Sequence, residues 1–250
     1  MRALETWAVR GLSSHCIPVA WAPSSELPES QNWMSVLPLT KKPASSGPVS
    51  RPTSIYAAVD DTALVEAVRR GHPAAKAELF DRYVHHVQRI LARILGGDQE
   101  LADLLHEVFA RALGRIETLE QPDLLKSWIT GVAVRTAREC LHRRWRGRWL
   151  RFLAAQDVPE IESSDASEEV REALRVTYAI LDRLGTEDRI VFSLRFLEGL
   201  EVTDVARACG TSLNTVKRRI ARAERRFLIL AERERALEDW LEGGARWPRT

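Results

Sequence analysis

From Asp60 onward, apolar residues recur at three- and four-residue spacing with few interruptions, the periodicity of helices that bury one face. Asp61 or Thr62 can cap a short first helix, DTALVEAVRR, that stops at Gly71. Pro73 sits where a first-turn proline belongs for a longer second helix, which ends at Gly96-Gly97 and buries Phe80, Val84, Val87, Leu91 and Ile94. Asp98 can cap a third, DQELADLLHEVFARALGRI, with Leu101, Leu104, Leu105, Val108, Ala112 and Leu113 on its apolar side and Glu100, Asp103, Glu107 and Arg111 on the other. After a break at Leu119-Glu120-Gln121-Pro122, a long helix is expected from about Asp123 to Arg151, with Trp128, Ile129, Val132, Ala133, Thr136 and Leu141 inward. The pattern is all-α, and no strand alternation competes with it.

The segment EVTDVARACGTSLNTVKRRIARAERRF predicts two short helices joined by a tight turn. Val202, Val205, Ala206 and Cys209 give the first a small apolar face. Gly210 suits the left-handed backbone that closes a helix, and the hydroxyls of Thr211 and Ser212 can cap the next. In that next helix Val216, Ile220, Ala223 and Phe227 line one face, while Lys217, Arg218, Arg219, Arg222, Arg225 and Arg226 project from the others. A helix laid in the major groove needs polar residues at its start to meet base edges and cations further on to meet phosphates. Ser212, Asn214 and Thr215 supply the first and the basic set the second, so the segment reads as a DNA-binding helix-turn-helix. The alternative is a surface helix with a solvated basic face.

Charge sharpens this picture because it is local. The net charge over 250 residues is only +2, so no global polycation attracts nucleic acid. Arginines instead crowd Arg135–Arg151, where HRRWRGRWLRF interleaves them with Trp145 and Trp149, a composition that suits phosphates plus unstacked bases. Acids then dominate from Asp157 to Glu172, which marks an acidic linker between two basic modules. Residues 1–57 carry most of the prolines, many serines and no period, and read as a disordered arm or as sequence upstream of a start at Met34. The expected division is therefore 1–57 disordered, 58–153 a first helical domain, 154–172 linker, 173–232 a second helical domain and 233–250 a helical tail. The alternating charges of that tail suit a solvated helix; the alternative is that Leu237, Trp240 and Leu241 bury against the second domain or a partner.

Chemistry-bearing clusters are sparse. Cys16, Cys140 and Cys209 are scattered, with neither a CxxC nor a Cys/His pair at ligand spacing, which argues for reduced thiols in a cytosolic protein. His85 and His86 are adjacent but lack further ligands at coordinating spacing, so no metal site is expected. No phosphate loop or nucleophile elbow occurs. No apolar run reaches the length of a membrane span, and the N-terminus lacks the continuous apolar stretch of a secretory signal. The expectation is a cytoplasmic, non-enzymatic protein without cofactor.

ADLLHEVFARAL followed by LEQPDLLKSWITGVAVRTARECLHRRWR resembles region 2 of sigma-70 family RNA polymerase sigma factors, specifically the short extracytoplasmic-function (ECF) group. LGTEDRIVFSLRFLEGLEVTDVARACGTSLNTVKRRIARAERRF resembles their region 4. The resemblance implies an initiation factor that binds core RNA polymerase and directs it to promoters. It places Asp103, Leu104, His106, Glu107 and Phe109 against the clamp coiled coil of the largest subunit, with His106 where glutamine is usual. Leu119–Pro122 would be the loop that accepts a flipped base of the melted −10 element, with Arg135, Arg138, His142, Arg143, Arg144, Trp145 and Arg146 behind it. Arg135 stands where asparagine is common and Glu139 where aspartate is common. Ser212, Asn214, Thr215, Lys217, Arg218, Arg219 and Arg222 would read the −35 element, and Gly185 replaces a proline frequent before that domain. Core polymerase, its flap, promoter DNA and an anti-sigma factor are the implied partners. Two other classes stay open on the residues alone: a stand-alone helix-turn-helix regulator of duplex DNA, and a helical module that binds only protein.

Overall fold

The computed structural model describes residues 59–96, 100–150 and 168–237. Every regular element among them is helical. The arm, most of the acidic linker, the Trp149 side chain, Trp240 and Leu241 lie outside what is described.

Helix α1 spans Asp61–Arg69. Its cap is Asp60, not Asp61 or Thr62: the Asp60 carboxylate accepts from the Ala63 amide at 2.8 Å. Asp61, one residue inside, instead accepts from Arg82 at 3.0 Å and from the Tyr83 hydroxyl, tying α1 to α2. Helix α2 runs Pro73–Leu95 and stops at Gly96, whose φ of 87° only glycine adopts freely. Helix α3, Leu101–Arg115, follows Glu100 without a side-chain cap, and a 3-10 turn, Ile116–Thr118, closes it. Asp98, expected as the cap, lies outside the described residues.

Helix α4, Leu125–Leu150, starts after a 3-10 turn at Pro122–Leu124. Ile129, Val132, Ala133, Thr136 and Leu141 are buried as the period predicts, with Trp128 half-buried. Gly131, Val134, Ala137 and Cys140 are buried too. The reason is that α2 and α3 pack on α4 from one side while a helix of the second bundle packs on it from another.

That second bundle begins at α5, Glu168–Leu181, inside the stretch read as linker. The acids there are not idle: Glu168 and Glu172 bind Arg171 and Arg175 along the helix surface. Helix α6, Thr186–Phe192, is capped at Gly185 by backbone alone and runs into a π turn, Ser193–Leu197. Helix α7, Val202–Cys209, ends at Gly210 in the left-handed conformation, φ 62°. Helix α8 spans Leu213–Ala231 and buries Val216, Ile220, Ala223 and Phe227, the face expected. Its Phe227 ring stacks on Phe192 at 4.6 Å, and Phe192 meets Phe196 at 4.8 Å. The helix does not continue through the tail as the sequence suggested. It ends at Ala231, and a 3-10 turn at Arg235–Leu237 lays Leu237, 3% exposed, toward α5.

The two expected modules do not stand apart. Their buried side chains form one continuous cluster, and polar contacts stitch the seam. Arg189 of α6 donates to the last carbonyls of α2, Ile94 at 2.7 Å and Leu95 at 3.1 Å, which are among the acceptors a helix end leaves without partners. The Tyr178 hydroxyl donates to the Ala92 carbonyl at 3.1 Å. Arg89 grips both carboxylate oxygens of Glu198, at 2.8 and 3.0 Å.

Candidate nucleic-acid interface

Ser212 holds extended backbone before α8 and accepts from the Thr215 amide at 3.3 Å; the two hydroxyls are also hydrogen-bonded to each other at 2.9 Å. Two of the three polar residues expected to meet bases are thus engaged in starting the helix, and Asn214 is the exposed third. Lys217 and Arg218 are exposed and make no ion pair among the described residues. Arg219 and Arg222 differ. Arg219 donates to Glu187 at 2.8 Å, and Arg222 forms a two-point contact with Asp188 at 2.7 and 2.6 Å, which holds its guanidinium above the ordinary arginine range. Both acids lie in the first turn of α6, where a helix favours negative charge.

The second basic set lies on α4. Arg135, His142, Trp145 and Arg146 are exposed, Trp145 at 62%, an unusual position for an indole ring. Arg138 donates to Glu187 at 2.7 and 3.4 Å. Arg143 and Arg144 approach Glu100 at 3.5 and 3.6 Å. Leu119 is only 4% exposed and its carbonyl accepts from Arg69. It lines a cavity of 310 Å³ together with Thr118, Glu120, Gln121, Trp128 and Arg135. Arg207 of α7 also lines that cavity.

A neighbouring cavity of 220 Å³ gathers Arg111, Arg115 and Arg135 around Glu139. Arg111 donates to Glu139 at 2.6 Å and to Glu107 at 2.5 Å. The hydrogen bond from Arg111 is the main reason the Glu139 carboxyl sits below its ordinary range. Partial burial, then repulsion from Arg115, Arg138 and Arg111, pushes Arg135 down. The pocket therefore favours an anion.

On α3, Asp103 and His106 are exposed. Leu104 and Phe109 are buried at 3% and 4%, and Phe109 packs on Phe80 with ring centroids 4.6 Å apart. Those two shape the surface from beneath it rather than forming it. Sequence reasoning missed Glu187, Asp188 and Arg207 altogether. The Glu107-to-Arg111 spacing of four was a visible signal for an ion pair, whereas no pattern announces a carboxylate forty-nine residues from Arg138.

His85 is exposed, and His86 contacts the Thr130 hydroxyl at 2.7 Å. Thr130 donates to the Lys126 carbonyl, so the His86 Nε2 carries the proton and Nδ1 faces Arg89 at 3.4 Å. Burial, then Lys126 and Arg89, lowers His86 to about 4. Burial raises the Cys140 and Cys209 thiols to about 11, which leaves them protonated and unreactive. No group of three or more His, Cys, Asp or Glu that could hold a metal ion occurs among the described residues. No helix there is long and apolar enough to cross a membrane.

Comparison with known families decides what the two basic faces belong to. Residues 79–147 match sigma-70 region 2, and residues 174–227 match sigma-70 region 4. The chain belongs to the sigma-70 family of RNA polymerase sigma factors. Its relatives place it in the ECF group. This sigma factor is 28% identical over 175 residues to the ECF RNA polymerase sigma-E factor of Haemophilus influenzae, covering 65% of this chain and 90% of the relative. It is 27% identical over 173 residues to the ECF RNA polymerase sigma-E factor of Escherichia coli K12, with 65% and 90% covered. Against the RNA polymerase sigma-H factor of Pseudomonas aeruginosa it is 27% identical over 172 residues, with 65% and 89% covered. Among solved structures, CnrH in complex with the cytosolic domain of CnrY shares the fold, with a TM-score of 0.50, 19% identity and coverage of 70% of this chain and 98% of that one. This sigma factor is thus a transcription initiation factor.

Proposed function

We propose that this sigma factor grips a promoter at two points and meets core polymerase through a third surface. The observation that carries the reading is the presence of two separate exposed basic faces in one chain, on α8 and on the C-terminal part of α4, where a regulator of duplex DNA needs one. In this assignment Asn214, Lys217 and Arg218 lead the contact with the −35 element, Ser212 and Thr215 hold the helix start in shape, and Arg219 and Arg222 reach phosphates when their carboxylates release them. Arg135, Arg138, His142, Arg143, Arg144, Trp145 and Arg146 take the melted −10 strand, with Trp145 free to stack on a base. Asp103, His106 and Glu107 face the polymerase clamp, supported by Leu104 and Phe109.

The physical work is differential binding. Bases leaving the −10 duplex exchange stacking on neighbours for protein contacts, which shifts the closed-to-open equilibrium without any covalent step. Phosphate contacts make affinity fall steeply with salt, while base contacts set sequence preference. Family membership supports a cytoplasmic location, no enzymatic activity, no cofactor, and an anti-sigma protein as a further partner.

Run-off transcription with core polymerase tests the assignment. Arg218→Ala is expected to weaken −35-dependent initiation about tenfold and to spare polymerase binding, consistent with the loss of one charged contact. Asp103→Ala is expected to do the reverse. Equal losses in both assays for both variants would refute the roles.

A further inference from the structure

The first turn of α8 sends outward two side chains that differ in kind. Val216 is buried, and the Thr215 hydroxyl is bound to that of Ser212. Leu213 and Asn214 are left facing out, with Leu213 at 37% exposure and outside the set of side chains packed on the buried cluster. A single exposed leucine is ordinary on any protein surface. What sets this one apart is its place. It is the leading residue of α8 and stands one turn before the exposed cation Lys217, as Asn214 stands one turn before Arg218.

A helix that enters the major groove by its N-terminal end brings its first turn to the base edges and its later cations to the phosphates. On the groove floor the thymine C5-methyl is the apolar group a leucine can cover. Over any other base edge, Leu213 would strip water from donors and acceptors and return no hydrogen bond. The side chain therefore favours thymine twice, through the contact it gains and through the desolvation it avoids. Asn214 is its complement, because a carboxamide matches the N6 donor and N7 acceptor of adenine together.

We propose that Leu213 is a specificity-determining residue of the −35 grip, selecting a thymine by its methyl group while Asn214 takes an adjacent adenine edge. The inference rests on the reading given above, in which α8 meets the −35 element. It adds an apolar contact to a surface otherwise described by its polar and basic side chains.

The test uses the full chain bound to core polymerase. Selection from a duplex library randomised in both promoter elements yields the preferred −35 sequence. Duplexes of that sequence are then made with deoxyuridine replacing each thymidine in turn, an exchange that removes the methyl group and keeps the base pairing. At one position the unsubstituted protein is expected to bind the uridine duplex about fourfold more weakly, the worth of one buried methyl group. Leu213→Ala is expected to level thymidine and uridine at that position with core polymerase affinity unchanged. Asn214→Ala is expected to keep the thymidine preference and lose the adenine one. A preferred −35 sequence in which no thymidine responds to the exchange would overturn the role of Leu213 and leave the promoter reading intact. So would a ratio that survives Leu213→Ala, and a loss of polymerase affinity in that variant with the ratio intact would place Leu213 against polymerase instead. Selection that enriches no −35 sequence at all would overturn both readings. The thymidine-to-uridine comparison is made on the unsubstituted chain, so it decides the matter even where a variant folds poorly.

Discussion

Helices α4 and α8 carry the two basic faces, yet they are built differently. Helix α8 packs on one side, through Val216, Ile220, Ala223 and Phe227, and its leading cations Lys217 and Arg218 face water. Helix α4 is covered on two sides, and its Arg138, Arg143 and Arg144 are engaged by acids. Each face is partly engaged: on α8 the cations after the first turn, Arg219 and Arg222, are held by acids, and on α4 Arg135, His142, Trp145 and Arg146 stay exposed. The lesson is that a count of cations describes the capacity of a surface, and their partners describe its state.

The largest expected break in this comparison is Phe227→Ala. Removing a ring that is 2% exposed and stacked on Phe192 should cost about 3–5 kcal/mol. Because the buried cluster is continuous, urea unfolding followed by probes in each bundle should shift together. Two separate transitions would show that α4 and α8 belong to independently folding units.

Arg189→Met should cost about 1–3 kcal/mol, since it strands the Ile94 and Leu95 carbonyls at the end of α2. Hydrogen exchange is the informative readout, with protection expected to fall at the C-terminal turn of α2, far from the substituted helix. A loss confined to α6 would mean the seam contributes little.

Acid should loosen the same seam. His86 is neutral in the folded state with a value of about 4, against about 6.5 unfolded, so below pH 6.5 the unfolded chain binds the extra proton and stability falls until the folded value is reached. By pH 5 the loss should be about 2 kcal/mol. The proton enters at Nδ1, beside the Arg89 that holds Glu198. Thermal melts from pH 7 to 4.5 should show a decline that His86→Gln flattens; a slope unchanged in that variant would exclude His86 as its source.

The smallest effect is expected from Ser212→Ala, about 1 kcal/mol from the lost cap of α8. It should lower duplex affinity modestly and leave single-strand binding alone, which separates the two basic faces by ligand.

The same contrast explains what the sequence made legible. The α8 face was readable because a helix packed on one side writes a clean 3.6-residue period, and Gly210 with Ser212 punctuates it. In α4 the burial of Gly131, Val134, Ala137 and Cys140 was missed, because a helix covered on two sides loses the contrast between inward and outward positions. Leu119 and Phe109 were assigned to contacts through family position, and only packing shows how little of either is exposed. Asp60 displaced Asp61 as the α1 cap because Arg82 and Tyr83 draw Asp61 into a tertiary contact no local rule encodes. Glu187 was invisible for the same reason, its partners lying forty-nine and thirty-two residues away.

Arg189 reaches back ninety-five residues to finish α2. Synthesis runs in the other direction, so α1 to α4 have emerged before that arginine is joined to the chain. Contacts of such separation also close late, since the loop between them must be ordered first. The end of α2 is therefore finished by a residue made long after the helix itself, and until Arg189 arrives the Ile94 and Leu95 carbonyls rely on water.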